Sequence, residues 1–344
     1  MLQLEFKPYI LKKKHIFKIS GASRTKTPIL LTKIRYRGIE GLGEASMPPL
    51  YGETIDSATD FLHKLDLSGF QSPFEVEKIL QAVDAIALGN TAVKASIDIA
   101  LHDLVSKLLM LPLHQYLGLP ACTLATSKTI GINSPETIQK RVEEASEFNY
   151  LKIKLGTGTK EDKAIIRAIR EVSDQPLYVD ANQGWEDPGE ALAIIKWLSD
   201  KGVVFIEQPL PKDDIDGQIW LKNKSPLPIV GDEGVQRLPD MAQARELYHG
   251  VNIKLMKSTG IHEARKMIHA ARGLGLKVLL GCMSETSCAI TAAAHLGTLA
   301  DWVDLDGNLN VTNDPYQASE VADGKIRLPE DPGIGLKKCS WKKI

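Results

Sequence analysis

Lys152 and Lys154 lie two residues apart inside the apolar run 151–155, so on a strand both point to one face while Ile153 points to the other. Asp304 and Asp306 repeat that spacing in the run 302–306. Asp180, Glu207 and Asp232 each fall at or near the end of a short apolar run, and Lys254 sits near the end of another. Three carboxylates converging from neighbouring strand ends supply hard oxygen ligands, and one Mg²⁺ per subunit suits them because it keeps positions free for water or substrate. Lys154 and Lys254 would flank that ion and stand on opposite faces of anything bound to it. Such a metal holds the charge that develops on a substrate carboxylate when its α-proton is removed to give an enediolate. One lysine takes the proton and the other returns one from the far side, which inverts the centre. A lysine acting as a base must be neutral, and a nearby divalent ion and other ammonium groups lower its pKa in that direction. The spacing therefore predicts a racemase or epimerase, although one base suffices for a dehydration or cycloisomerisation. Buried ion pairs without chemistry are the structural alternative, but burying so many charges costs more than apolar packing does.

The elements that must position these residues follow from periodicity. Short apolar runs at 129–132, 151–155, 177–181, 203–207, 229–232, 251–255, 277–281 and 302–306 recur about every 25 residues with helical periods between them, as a β/α barrel requires. An open doubly wound sheet is the alternative, and it lacks the glycine-rich phosphate loop that would follow a strand. Before the barrel, residues 2–9, 29–36 and 38–45 read as an antiparallel meander. The segments 21–27 and 46–52 read as loops over a site, and 91–109 reads as a helix with one apolar face. After Asp314-Pro315 no eighth helical pattern appears, and residues 325–328 read as a strand that rejoins the amino-terminal part. The expected division is a capping domain over 1–120, a catalytic barrel over 121–314 and a returning tail over 315–344.

The 42 Lys and Arg nearly cancel the 43 Asp and Glu, for a formal net charge of -1. No basic field is available to hold nucleic acid. No apolar run approaches the length of a membrane span, and residues 1–6 lack a basic stretch followed by an apolar one, so a cytoplasmic chain without a membrane partner is expected. Cys122, Cys282, Cys288 and Cys339 are scattered without zinc or disulfide spacing.

In order, Ala95 to Leu101, Lys152-Ile153-Lys154, Val179-Asp180-Ala181-Asn182, Ile206-Glu207-Gln208-Pro209, Gly231-Asp232-Glu233 and Asn252 to Lys257 resemble the enolase superfamily, muconate lactonizing enzyme subgroup, over nearly the whole chain. The resemblance implies an α/β fold, a modified (β/α)7β TIM barrel with an α+β capping domain built from both chain ends. It implies Lys154 and Lys254 as catalytic bases and Asp180, Glu207 and Asp232 as Mg²⁺ ligands. The mandelate racemase branch places a histidine after the seventh strand, where Gly281-Cys282-Met283 stands here. Trp302 to Gly307 resembles the D-x-D segment of dipeptide epimerases, whose two carboxylates hold the α-ammonium of the first residue. The implied activity is a Mg²⁺-dependent dipeptide epimerase that inverts the C-terminal residue of an alanine-containing dipeptide. A cycloisomerase, o-succinylbenzoate synthase or N-acylamino acid racemase is the alternative.

By the same resemblance Thr129 contacts substrate, Lys152 adds positive charge beside its carboxylate, and Asp304 and Asp306 bind its ammonium. Arg24 stands where Ala-Glu epimerases hold the glutamate side chain. The second cap loop, Met47 to Tyr51, is largely apolar or neutral and favours a small or apolar second residue, with glutamate the alternative. Cys282 and Met283 are expected to line the pocket, Glu233 and Glu285 to orient other groups, and Lys257 to form a loop salt bridge. His295, in an alanine-rich run, reads as a core or boundary residue. The family leaves room for a homo-oligomer and suggests a place in cell-wall peptide metabolism.

Overall fold

A computed structural model describes residues 1–318 and 320–339. An antiparallel sheet opens the chain: β1 (Gln3–Ile19), β2 (Ala22–Tyr36) and β3 (Ile39–Ser46). Helices α1 (Ile55–Lys64), α2 (Val76–Ala85), α3 (Thr91–Leu108) and α4 (Leu113–Tyr116) complete this layer, followed by the short β4 (Thr123–Ala125). Eight strands then form one parallel sheet in sequence order: β5 (Ser127–Ile130), β6 (Tyr150–Lys154), β7 (Leu177–Asp180), β8 (Val203–Glu207), β9 (Ile229–Gly231), β10 (Gly250–Lys254), β11 (Lys277–Gly281) and β12 (Trp302–Asp304). Helices α5 (Pro135–Glu144), α6 (Thr159–Arg170), α7 (Pro188–Ser199), α8 (Ile215–Lys224), α9 (Met241–Leu247), α10 (Ile261–Gly273) and α11 (Ser287–Ala294) alternate with them. After β12 the 3₁₀ turn Gly307–Asn310 is the last helical element among the described residues, which place no eighth helix there, as the sequence implied. Side chains help to close the ring between β12 and β5. Leu305 N–H donates to Thr126 Oγ1 at 2.9 Å and Thr129 N–H donates to Asp306 at 2.9 Å.

Strand alternation divides the barrel interior into two levels. Inward positions early in the strands carry Tyr150, Tyr178, Phe205 and Trp302, whose rings stack with centroids 5.0, 4.5 and 4.7 Å apart. With Val230 and Leu279 they form a small core of their own, a dry floor. Two residues further along, the same inward face presents Lys152, Asp180, Glu207, Asp232 and Asp304. The charges are thus raised off an apolar plug and held at the C-terminal mouth.

The amino-terminal layer covers that mouth. Segment 21–27, expected to be a loop, is strand instead: β1 and β2 form a long hairpin with a tight turn at Ser20-Gly21, where Gly21 has φ 70°, and Arg24 lies on β2 opposite Phe17. Pairing of main-chain groups outweighs the turn-forming composition there. Helix α3 is buried on all sides rather than on one face, packed between this layer and the barrel. Its polar side chains serve other elements: Asp98 accepts from Ile261 N–H (2.7 Å) and His262 N–H (3.1 Å) at the start of α10, and Asp103 accepts from Leu42 N–H at 2.9 Å. The tail strand β15 (Lys325–Arg327) pairs with β4 and with β14 (Val321–Ala322), not with β1–β3, while β13 (Tyr316–Gln317) pairs with β16 (Lys338–Cys339). Past that strand, Gly333 and Ile334 do reach the amino-terminal layer, at Leu111, Leu113 and Asp103.

His295 locks three parts of the chain together. Its Nδ1 accepts from His114 N–H (3.1 Å), its Nε2 lies 3.5 Å from the Ile334 carbonyl, and its ring stacks on His114 at 5.4 Å. Burial and the neighbouring His114 push its pKa down to about 3. The unfolded chain therefore takes up a proton that the folded chain refuses, so the stability present above pH 6.5 is lost as pH falls toward 3. Denaturant unfolding at pH 7 and pH 5 should show a larger acid loss for the native protein than for His295→Gln.

Candidate active site

Strands β6 and β10 are four apart in the ring of eight, so Lys154 and Lys254 at their ends face each other across the mouth. They divide it into two arcs. One arc carries Asp180 on β7, Glu207 on β8 and Asp232 just past β9, and a ligand oxygen from each lies within 4.8 Å of the others. The opposite arc carries Cys282, Asp304, Asp306 and Thr129. The second arc and Asp232 of the first line one cavity of about 700 Å³, counted to its mouth, together with Lys152, Met283, Arg24 and, from the capping segment, Pro48, Leu50 and Tyr51.

In the first arc each carboxylate has one oxygen fixed by the framework and one turned toward a lysine. Asp180 Oδ1 accepts from Asn182 N–H (2.9 Å) and Oδ2 from Lys154 (2.5 Å). Glu207 Oε1 accepts from Asn252 Nδ2 (2.7 Å), while Oε2 lies 2.7 Å from Lys152 Nζ. Asp232 Oδ1 accepts from Lys257 and Oδ2 from Lys254, both at 2.6 Å. With one oxygen from each of the three carboxylates within 4.8 Å of the others, the cluster offers hard donors that fit a divalent ion such as Mg²⁺, which takes few carboxylates and keeps other positions open.

The electrostatics follow from burial and neighbours. Burial alone would lower the Lys152 ammonium, but Asp304, Glu207 and Asp180 outweigh it and hold it well above its ordinary value. Burial likewise opposes the charge on Lys254, and Asp232, Tyr51 and Glu207 reverse that. Burial and the adjacent Asp180 push the Glu207 carboxyl up to about 8, and burial with Asp232 pushes Glu233 up to about 7. Burial would raise Asp232, yet Lys254 and Lys257 drive it far below the usual range.

The second arc is equally tied down. Asp304 accepts from Ser127 Oγ (2.7 Å) and Lys152 Nζ (2.8 Å). Asp306 accepts from the Thr129 N–H and Oγ1 (2.9 Å each) and Asn310 Nδ2 (3.0 Å), with Lys128 Nζ at 3.4 Å. Thr129 is thus an anchor for Asp306 as well as part of the cavity wall. Burial and Glu285 push the Cys282 thiol well up, which leaves it a lining group rather than a nucleophile. Met283 lines the wall, and Glu285 accepts from its N–H at 2.7 Å. Glu233 accepts from Asn182 Nδ2 at 3.2 Å.

Lys257 is more than a loop salt bridge. It is 1% exposed and donates to the Asp232 carboxylate and carbonyl (2.6 Å each), the Val235 carbonyl (2.9 Å) and the Asn252 carbonyl (2.8 Å). Asn252, the anchor of Glu207, had no assigned role, although it precedes Lys254 by two and so shares its face, just as Lys152 precedes Lys154. Its side chain also explains Gly281, where a Cβ would lie 2.4 Å from Asn252 Oδ1.

Residues 8–118 match the mandelate racemase / muconate lactonizing enzyme, N-terminal domain family, and residues 135–339 match the enolase C-terminal domain-like family. The chain is 48% identical, over 98% of its length and 88% of the relative's, to the L-Ala-D/L-Glu epimerase of Bacteroides thetaiotaomicron. It superposes with a TM-score of 0.91 and 30% identity on a substrate-liganded complex of the L-Ala-D/L-Glu epimerase from Bacillus subtilis, covering 98% of this chain and 99% of that one. The dipeptide epimerase from Enterococcus faecalis V583, complexed with Mg and L-Leu-L-Tyr, gives 0.90 and 32%, covering 97% and 98%.

Replacing Lys257 leaves the buried Asp232 carboxylate without its fixed partner. Lys257→Met should cost about 3–5 kcal/mol of unfolding free energy, read from urea denaturation, and an unchanged midpoint would contradict the anchoring role.

Proposed function

The chain belongs to the mandelate racemase/muconate lactonizing enzyme family of the enolase superfamily, and from that premise we propose a Mg²⁺-dependent dipeptide epimerase that inverts the C-terminal α-carbon of an alanine-containing dipeptide. The observation that carries the proposal is the division of the mouth by Lys154 and Lys254 into two acidic arcs. A dipeptide has a carboxylate at one end and an ammonium at the other, and so needs two such arcs. Asp180, Glu207 and Asp232 would hold the ion on the carboxylate side. When bound, Mg²⁺ supplies the positive charge that stabilises the substrate's carboxylate oxygens as the α-proton leaves, and it competes with the lysines for the three carboxylates.

The chain's own residues do the rest. Asp304 and Asp306 receive the ammonium and fix the α-carbon between the lysines. Lys154 Nζ and Lys254 Nζ take or return the proton, each from its own side, so that removal at one face and delivery at the other invert the centre. Lys152 stays charged between the arcs and fixes Asp304 and Glu207 relative to each other. A substrate without an ammonium would leave Asp304 and Asp306 facing an uncharged group, a desolvation cost without return. Among the described residues no helix is long and apolar enough to cross a membrane.

Incubation with Mg²⁺ and alanine-containing dipeptides in D₂O should place deuterium on the C-terminal α-carbon, and a chelator should abolish it. Asp304→Asn should lower kcat/KM for dipeptides by about 10- to 100-fold. Absence of exchange with every dipeptide would contradict the proposal. So would faster turnover of N-acylamino acids that is indifferent to Asp304→Asn.

A further inference from the structure

Asp162, in the first turn of α6, is fully buried and takes no part in the proton transfer itself, yet four donors converge on its carboxylate. Gly156 N–H donates to both oxygens at 3.1 Å, Thr157 donates to Oδ1 through its N–H (3.2 Å) and its hydroxyl (3.3 Å), and Trp185 Nε1–H donates to Oδ2 at 2.9 Å. All four donors are neutral, so the buried charge is held by hydrogen bonds alone. A carboxylate in a first helical turn is favoured by the helix's own free N–H groups. This one instead reaches back past Gly158 to the loop that follows β6, and across to the loop that follows β7.

Both loops leave strands that end in the active site. Gly156 comes two residues after Lys154, and Trp185 five residues after Asp180. Their backbones are in direct contact: Leu155 N–H donates to the Asp180 carbonyl at 2.9 Å, a Cβ on Gly156 would lie 2.3 Å from the Ala181 carbonyl oxygen, and one on Gly184 would lie 2.4 Å from that of Gly156. Between them Asn182 and Gln183 hold φ values of 44° and 65°, left-handed positions that persist in residues other than glycine only where the surroundings enforce them. The turn of the capping hairpin rests on the same spot, with Ser20 Oγ donating to the Gly156 carbonyl at 3.0 Å. Lys154 emerges directly from this junction, as the last residue of β6, to place Nζ on Asp180 Oδ2. Lys254, across the ring, is held by other bonds: Lys257 N–H and Ser258 N–H donate to its carbonyl at 3.0 and 3.1 Å.

We propose that Asp162 is a positioning residue for Lys154. By binding residues 156–157 to Trp185 it sets where the Lys154 ammonium stands against the α-carbon, and so governs proton transfer at one face of the substrate and not at the other. The proposal rests on the two-base epimerase assignment and adds to it the group that aims one of the bases. A displacement of about 1 Å at a reacting atom costs on the order of 100-fold in rate. A carboxylate that only stabilised the fold would affect both faces alike.

The test follows deuterium entry at the C-terminal α-carbon of each epimer of an alanine-containing dipeptide separately, with Mg²⁺ in D₂O, for the native enzyme, Lys154→Ala, Asp162→Ala and Asp162→Asn. Lys154→Ala identifies the epimer whose proton Lys154 takes. Asp162→Ala should lose about 10- to 100-fold in kcat for exchange of that same epimer, with KM and the Mg²⁺ concentration for half-maximal exchange within about 3-fold of native. Exchange of the other epimer should stay within about 3-fold, which also reports that the variant is folded. Asp162→Asn keeps one acceptor oxygen and should lose less. Should Asp162→Ala not fold, Trp185→Phe, which lacks the Nε1 donor alone, must still slow that epimer more than the other. An equal loss on both epimers, a loss confined to the other epimer, or no change on either would overturn Asp162 as the positioning residue. A Lys154→Ala variant without any epimer-selective loss would instead overturn the two-base assignment beneath it.

Discussion

The barrel mouth is organised by one requirement: carboxylates buried away from water must be matched by positive charge and hydrogen bonds. Lys152 meets it most visibly, with Glu207 at 2.7 Å, Asp304 at 2.8 Å and Asp180 at 3.3 Å around one ammonium. It joins two acidic arcs that would otherwise repel, and a shift in either arc is felt by the other. Lys257 does the same work beneath Asp232, where no substrate reaches. Purely structural ion pairs would look similar in their distances. What separates this network is that Lys154 and Lys254 sit at the cavity wall, each on the free oxygen of a carboxylate whose other oxygen is fixed from behind. A divalent ion that displaced the lysines from Asp180, Glu207 and Asp232 would leave the bonds behind those carboxylates in place.

The fold makes this arrangement possible by separating tasks along each strand. An aromatic floor of Tyr150, Tyr178, Phe205 and Trp302 carries apolar burial, and the next inward position carries chemistry. Because the strands follow in order around the ring, Lys154 and Lys254 are across from each other by topology alone. The capping layer then closes the remaining side. Glu44 on β3 accepts from Thr286 N–H at 2.9 Å, and Ser46 Oγ donates to the Ser284 carbonyl at 2.7 Å, so the cap is fastened to the loop that follows β11. The cavity wall is thereby built in part from elements distant in sequence from Lys154 and Lys254.

How far the sequence reveals this depends on the range of the interactions. The spacing of Lys152 with Lys154 and of Asp304 with Asp306, the three acids at strand ends and the missing eighth helix all follow from local periodicity, and the barrel is read correctly from them. Asn252 was within reach by the same two-residue rule. Asp162 was not, because its partners lie on two loops, after β6 and β7, that meet only in the fold. Segment 21–27 has the composition of a loop and becomes strand because β1 supplies a partner for its main chain. Helix α3 shows one apolar stripe in sequence yet is buried all round, since Asp98 and Asp103 spend their polarity on the ends and turns of other elements.

The central claim is that Lys154 and Lys254 serve opposite faces of one carbon. It is tested most directly by following each epimer of the substrate separately in D₂O with Lys154→Ala and Lys254→Ala. Epimerisation should vanish in both variants, while each retains proton exchange at the α-carbon of a single epimer, a different one in each case. Two-way epimerisation surviving in either variant, or both variants exchanging the same epimer, would contradict the account.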